Sequence, residues 1–162
     1  MDAAVCHNVL YSKGRKVLNR LHAGRLAYVL IGLKQLILAK PSKGYILLDG
    51  VKKAEFNHIY FISVHMHPYE GGGFKFAPKA DPSDGIMNIS VASFSDKKKL
   101  LSAVLSAYMG QKNSGKGLRT YECREARIHV ERPMAVHADG ESCLYQDDLQ
   151  IQCIEKQLRV IV

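Results

Sequence analysis

The 162-residue chain is 47% apolar, which is enough to bury the core of one domain and excludes disorder of the whole chain. Its 23 Lys and Arg against 15 Asp and Glu give a net charge of +8, which favours an acidic partner: nucleic acid, an anionic membrane surface or a phosphorylated substrate. The four cysteines form no CxxC pair, which favours reduced intracellular thiols. The sequence has no zinc-finger spacing and no aromatic RNA-binding signature, so only the net charge supports a nucleic-acid partner.

Helical spacing of apolar residues is typical of the N-terminal part of the chain. Between residues 14 and 40 the pattern changes from spaced leucines to a dense apolar run over 26–39. This run is interrupted by Lys34 and Gln35 and is shorter than the ~20 apolar residues of a membrane-spanning helix. Residues 14–40 therefore predict one long or two short helices, and the run over 26–39 is expected to be buried or to lie at an interface.

Short apolar runs separated by Gly, Pro, Asn and Asp replace this pattern after Pro41 and indicate β-strands. We expect strands over 45–50, 58–66, 85–94, 126–133, 134–139, 149–155 and 158–162. Helices followed by many short strands predict a mainly β domain, namely a two-layer antiparallel β-sandwich with N-terminal helices and one inserted helix. No linker divides the chain, so residues 1–162 are expected to form a single domain.

The inserted helix is expected to begin after Ser95 or Asp96, either of which can cap it, and to end at Gly110. Its apolar residues recur at helical spacing and are expected to form one stripe: Leu100, Leu101, Val104, Leu105 and Tyr108. A flexible, basic loop over 111–117 follows the helix.

Three consecutive glycines, Gly71, Gly72 and Gly73, could expose backbone N–H groups to an anion. A phosphate-binding loop usually leads from a strand into a helix, whereas extended chain and a turn follow here. Taken alone, the glycines therefore predict a tight loop or a bulge.

Asp81 and Asp84 lie three residues apart in the sequence DPSDGI, where carboxylate and carbonyl oxygens could converge on a hard cation. Pro, Ser and Asp-Gly also form ordinary turns without any metal. From turn chemistry alone, the ordinary turn is the favoured interpretation.

His65 and His67 alternate on an expected strand and would share one face, as a metal-binding pair requires. No third ligand follows nearby in the sequence. Two solvent-facing histidines are therefore the favoured interpretation.

Asp139 and Glu141 flank Gly140 in the sequence HADGES, and two structures fit this pattern. A tight turn centred on Asp139 and Gly140 would join two strands. If the chain is instead extended through Gly140, both carboxylates project from one face and could take a proton or lie near a metal ion. The pattern does not decide between the two.

The order of these motifs resembles a known family. DAAV at the start, LLDG ending at Gly50, GGGFKFAPKADPSDGI at 71–86, the capped helix and HADGE at 137–141 resemble the C-terminal domain of the bacterial diacylglycerol kinase and sphingosine kinase-like lipid kinases. The resemblance covers essentially the whole chain. It implies a β-sandwich that completes the cleft of a two-domain enzyme, which transfers the γ-phosphate of ATP to a lipid hydroxyl.

The resemblance also implies roles for individual residues. Asp139 would be the general base that accepts the proton of the lipid hydroxyl, and Glu141 would support it or the catalytic metal. The Asp84 carboxylate, with the main-chain carbonyls of Asp81 and Ile86, would hold a structural Mg²⁺. The resemblance assigns no chemical role to the LLDG motif, which remains an expected turn.

The same resemblance implies the partners: a lipid such as diacylglycerol, ATP as co-substrate, Mg²⁺, and no nucleic acid. It implies a cytoplasmic protein that is peripheral to the inner face of the cell membrane, where the basic N-terminal region is expected to help docking, and it leaves a homodimer open. The contacts of the glycines at 71–73 would be with nucleotide or lipid, although His65, His67 and Pro68 stand where the family often has Asn and Gly.

The family holds its nucleotide largely in an N-terminal domain with a GGDGT motif, which this sequence does not contain. Met1 stands directly before Asp2, where the family has a glycine and an aromatic residue. We therefore expect either a domain cut from a longer kinase or a misplaced gene start, and a chain that cannot complete catalysis alone. The alternative is a non-catalytic lipid- or membrane-binding module with the same fold.

Overall fold

The computed structural model describes residues 38–70, 75–109, 117–139 and 141–155. Their elements are β1 (Ser42–Leu48), β2 (Lys52–His65), β3 (Met87–Ser93), α1 (Lys97–Tyr108), β4 (Leu118–Cys123), β5 (Glu125–Ala138) and β6 (Glu141–Gln152). The strands form one antiparallel sheet in the order β4-β3-β2-β1-β5-β6. The predicted mainly β, antiparallel fold is confirmed, whereas the helices expected before residue 38 and the strand at 158–162 lie outside the described residues.

The sheet curls because β2 pairs with different neighbours along its length. Residues 52–59 pair with β1, and residues 59–65 pair with β3. A register shift between Ile59 and Phe61 marks the change of partner, and such a bulge bends a strand and increases its twist. The strands can therefore fold over their own apolar side chains.

The inner face of the curled sheet carries the larger core. Alternate residues of β1 and β3 contribute to it, including Ile46, Ile89 and Val91, none of which is exposed to solvent. Ala126 and Ile128 of β5 join the same cluster. Burial of each large aliphatic side chain contributes about 1.5–3 kcal/mol, so this alternation specifies which face turns inward.

Helix α1 covers the opposite face of the sheet. Its Leu100 and Ala107 are fully buried in a second cluster with Phe61, Phe76 and Phe94. As predicted, Asp96 caps the helix, because its carboxylate accepts a hydrogen bond from the backbone N–H of Lys98 at 2.9 Å.

The predicted apolar stripe of this helix was wrong in part. Leu100 and Val104 pack on the second cluster, but Leu101 and Leu105 remain 39% and 54% exposed. Successive helical residues are about 100° apart, so Leu100 and Leu101 cannot both face the same flat sheet. The end expected at Gly110 lies outside the described residues.

The strands differ from the prediction in several places, and the strand expected over 149–155 instead begins at Glu141 and ends at Gln152. The segments 126–133 and 134–139 form one strand, β5, because Pro133 falls in a register shift between His129 and Met134 where it costs no ladder hydrogen bond to β6. The strand β4 was not predicted at all.

None of the helices in the part of the chain that the structure describes is long and apolar enough to cross a membrane.

Candidate functional site

A tight hairpin joins β5 to β6 at the HADGES sequence. Ala138 pairs with Glu141, so only residues 139 and 140 lie between the strands. Asp139 has a φ of +48°, in the left-handed region that Asp and Asn tolerate best among non-glycine residues. The pairing of Ala138 with Glu141 therefore confirms the turn alternative and excludes a single strand that continues from Ala138 into Glu141.

Both carboxylates of this hairpin are exposed at its tip. Next to the tip, Cys143 and Leu144 bulge opposite Val136, since Ala135 pairs with Tyr145 and His137 pairs with Ser142. Leu144 has a φ of +60°, which is strained for a large side chain. The bulge leaves two large apolar side chains exposed beside the carboxylates, Leu144 and Tyr145.

The turn at 81–86 is organised by its own carboxylates. Asp81 Oδ1 accepts hydrogen bonds from the backbone N–H and the hydroxyl of Ser83, at 2.9 and 2.6 Å, and these bonds lower the pKa of Asp81. Asp84 Oδ1 accepts from the N–H of Ile86 at 2.8 Å. These bonds use one oxygen of each carboxylate, which leaves the Oδ2 atoms and nearby carbonyls as oxygen ligands of the kind that Mg²⁺ or Ca²⁺ prefers.

The donor set of this turn fits a hard cation only if carbonyls or water complete it. Nowhere within 38–70, 75–109, 117–139 and 141–155 do three His, Cys, Asp or Glu side chains converge as a metal site. A cage of side chains is therefore absent there, and the expected site of one carboxylate, Asp84, with the main-chain carbonyls of Asp81 and Ile86 stays a prediction.

The first Asp-Gly turn lies at the same end of the sheet as the turn at 81–86. Asp49 Oδ1 accepts hydrogen bonds from the backbone N–H groups of Arg124 and Glu125. The Arg124 guanidinium contacts Glu155 at 2.7 Å, and a side chain at Gly85 would collide with that same Glu155. Asp49 therefore has a structural role that its sequence motif did not reveal.

His65 is buried, so the prediction that it faces solvent was wrong, whereas His67 is exposed as predicted. His65 Nε2 lies 2.9 Å from Ser63 Oγ and 3.2 Å from Glu70 Oε2. Burial lowers the pKa of His65 to about 4, with a smaller effect from the nearby His67. His65 is therefore neutral at neutral pH, and its contact with Glu70 is a hydrogen bond rather than an ion pair.

A cleft of about 640 Å³ opens between the β1–β2 turn and the ends of β3 and β4. Lys52, Lys79, Tyr121 and Glu122 line it, together with Asn88. Asn88 is 2% exposed, and its Oδ1 has no hydrogen-bond partner within the described residues. Sequence reasoning missed this cleft because its lining comes from four separate segments of the chain.

The structure separates the predicted site residues into two groups. Asp139 and Glu141 follow the end of β5, whereas the turn at 81–86 is linked through Glu155 and Arg124 to the start of β5. The carboxylate pair and the expected metal turn thus lie at opposite ends of a 14-residue strand. The glycines at 71–73 lie outside the described residues.

Comparison with known proteins identifies relatives of this chain. Residues 11–162 match the family model described as the YegS C-terminal NAD kinase beta sandwich-like domain. A protein of Mycobacterium tuberculosis named "Diacylglycerol kinase" is 30% identical over 121 residues, which cover 73% of this chain and 38% of that protein. The chain therefore spans well under half the length of this curated relative.

The fold is also similar to that of a solved structure. A diacylglycerol kinase of Bacillus anthracis str. Sterne aligns with a TM-score of 0.56 and 19% identity, covering 75% of this chain and 43% of that one. At this identity the likeness supports the fold and not a shared activity.

Proposed function

Since the chain belongs to the family of YegS C-terminal NAD kinase beta sandwich-like domains, we propose that it is the C-terminal domain of an ATP-dependent lipid kinase of the diacylglycerol kinase type. The relative from Mycobacterium tuberculosis carries the name "Diacylglycerol kinase" and extends well beyond the aligned part. In this proposal the remainder of the parent enzyme binds ATP, and this domain contributes to binding and activating the lipid hydroxyl.

The exposed Asp139 carboxylate at the β5–β6 hairpin tip carries the proposal. A lipid hydroxyl is a weak nucleophile until its proton has an acceptor, and a positioned carboxylate typically contributes about 10²- to 10⁴-fold to the rate. The two-residue turn holds Asp139 at the end of two paired strands, which limits its movement. Asp139 would accept the hydroxyl proton as the oxygen attacks the γ-phosphate, and Glu141 would support it.

For phosphoryl transfer, the protein chiefly has to position the reacting groups and neutralise the phosphate charge. The net charge of +8 suits a domain that meets a triphosphate and an anionic membrane. The glycines at 71–73 are proposed to contact nucleotide or lipid through backbone N–H groups. A Mg²⁺ in the 81–86 turn would neutralise its carboxylates and stabilise the loop, far from the reacting atoms.

The substrate is a membrane lipid, so we place the protein in the cytoplasm, peripheral to the inner face of the cell membrane. The exposed Leu144 and Tyr145 beside the proposed base offer apolar surface to a lipid. Diacylglycerol is the proposed acceptor because it is the lipid in the relatives' names. Nucleic acid has no role in this proposal.

A chimera tests the proposal directly. The N-terminal part of the Mycobacterium tuberculosis relative is joined to this chain, and transfer of labelled phosphate from ATP to diacylglycerol is measured. We expect transfer by the chimera and none by the 162-residue chain alone, whose sequence contains no GGDGT motif to position ATP. A folded chimera that binds ATP but transfers no phosphate to any lipid would instead support a non-catalytic lipid-binding module.

A further inference from the structure

Helix α1 presents apolar side chains on two sides. Leu100 and Ala107 are buried against the sheet. On the other side Leu101, Leu105 and the cap residue Met109 are 39%, 54% and 55% exposed. These three residues are spaced by four and form a continuous ridge, on the side where a surface helix normally carries polar residues.

A cluster of lysines stands at the beginning of this ridge. Lys97, Lys98 and Lys99 occupy the first turn and are exposed. Lys97 and Lys98 precede Leu101 by four and three residues, so both lie on its side of the helix. Positive charge is unfavourable at the N-terminal end of a helix dipole, and the Asp96 cap supplies one negative charge against three lysines there. Contact with an anionic partner would reduce the remaining repulsion.

A lysine and an aromatic ring lie beside the other end of the helix. Lys75 donates its backbone N–H to the carbonyl of Ala107 at 3.1 Å, next to the last turn. The Lys75 ammonium lies 5.4 Å from the centre of the Tyr69 ring, and Tyr69 is half exposed. Lysines at both ends, apolar side chains between them and a tyrosine at the edge are typical of surfaces in the headgroup region of a bilayer.

We propose that this docking face, formed by residues 97–99, Leu101, Leu105 and Met109 with Tyr69 and Lys75, binds the surface of an anionic lipid bilayer. The apolar ridge enters the boundary between headgroups and acyl chains, and the lysines contact lipid phosphates. The inference deepens the proposed function by naming the surface through which the domain reaches a membrane lipid, and its biological purpose rests on that function.

The charge of the docking face favours a bilayer over a second copy of this chain. A dimer with parallel α1 helices would bring the three lysines of each copy against those of the other, and any dimer would join two chains that each have a net charge of +8. Three partly exposed apolar side chains also cover much less than the ~800 Å² per partner of a stable protein interface. A bilayer needs no shape complementarity and supplies the opposite charge.

The chain contains no tryptophan, so a single introduced indole reports on this face. We expect the fluorescence of Leu105→Trp to shift to the blue with vesicles of phosphatidylcholine and phosphatidylglycerol, and much less with phosphatidylcholine alone or at high salt. The matched control is Val51→Trp in the β1–β2 turn, where the native side chain is 87% exposed and no shift is expected. An unchanged Leu105→Trp spectrum on anionic vesicles would overturn the proposal.

The lysines are tested by a pair of double variants with equal loss of charge. Lys98→Gln with Lys99→Gln should weaken vesicle partitioning by about fivefold per lysine, whereas Lys52→Gln with Lys79→Gln should have a smaller effect. Equal losses in the two double variants would show that only net charge matters and would also overturn the docking face. Vesicle binding is measured without ATP, so its failure leaves the kinase proposal intact, and failure of the chimera leaves the docking face intact.

Discussion

The Asp49 carboxylate accepts a hydrogen bond from the backbone N–H of Arg124 at 2.8 Å and thereby ties the β1–β2 turn to the beginning of β5. A second bond of 3.0 Å comes from the N–H of Glu125. The bonds from Glu125 and Arg124 lower the pKa of Asp49 below its ordinary value. Asp49 has a φ of +49° and Gly50 a φ of +67°, which are typical of a tight turn between two strands.

We predict that Asp49 contributes stability that depends on pH. Its pKa is lower in the folded than in the unfolded chain, so its contribution is complete above the unfolded value of 3.8 and is lost as the pH falls through the folded value. Asp49→Ala should lower Tm at neutral pH more than Asp49→Asn, since Asn keeps an acceptor and tolerates this backbone. Thermal melts from neutral to acid pH measure both effects.

Asp147→Asn is the matched control for Asp49→Asn, because Asp147 is exposed on β6. Asp49→Asn should show a shallower fall of Tm with acid than the wild type, and Asp147→Asn should follow the wild type. If both variants keep the wild-type dependence, the Asp49 bonds do not contribute to stability.

We predict that burial of neutral His65 makes the domain less stable in mild acid. Its pKa is about 4 in the folded chain against an ordinary value of 6.5 in the unfolded chain, so its contribution is complete above 6.5 and is lost as the pH falls toward 4. The loss should be roughly 2–3 kcal/mol in the free energy of unfolding. Urea unfolding across this range should show a smaller loss for His65→Gln.

The exposed His58 provides the control, since His58→Gln should keep the wild-type loss. NMR titration of the His65 imidazole gives a second measurement that needs no mutant. A titration midpoint near that of an exposed histidine would show that the Glu70 contact, and not burial, dominates the pKa.

We predict a metal-dependent stability at the 81–86 turn. Asp84→Asn keeps an acceptor for the Ile86 N–H but removes the charge that a cation needs. The wild type should therefore gain Tm on addition of Mg²⁺ after chelation, and Asp84→Asn should gain little. Asp49→Asn, which alters a different Asp-Gly turn, should keep the gain. If the wild type has the same Tm with Mg²⁺ and with chelator, the 81–86 segment is an ordinary turn without a metal.

Much of the sheet could be predicted because its strands alternate apolar residues toward one core, as in β1 and β3. The strand β4 could not be predicted, since its sequence LRTYEC is mostly polar and becomes a strand through its pairing with β3. The inserted helix was predictable from its Asp96 cap and apolar spacing, but which leucines face the sheet depends on how the helix rotates against it.

The candidate site was predictable only where its chemistry is local. The turns at Asp84 and Asp139 follow from Asp-Gly chemistry within a few residues. The burial of His65 does not follow from local sequence, because it depends on the strand register that places His65 beside Asn88. The tie between Asp49 and Arg124 joins residues far apart in sequence, and no spacing rule predicts it.

The most direct test of the account is kcat of Asp139→Asn in the chimeric kinase. Asn tolerates the left-handed turn conformation and has the same size, so the variant should fold and bind ATP as the parent does, with circular dichroism as the check. If Asp139 is the general base, kcat should fall by about 10²- to 10⁴-fold with little change in nucleotide binding. A folded Asp139→Asn enzyme with near-normal kcat would contradict this and leave Asp139 as a hairpin residue alone.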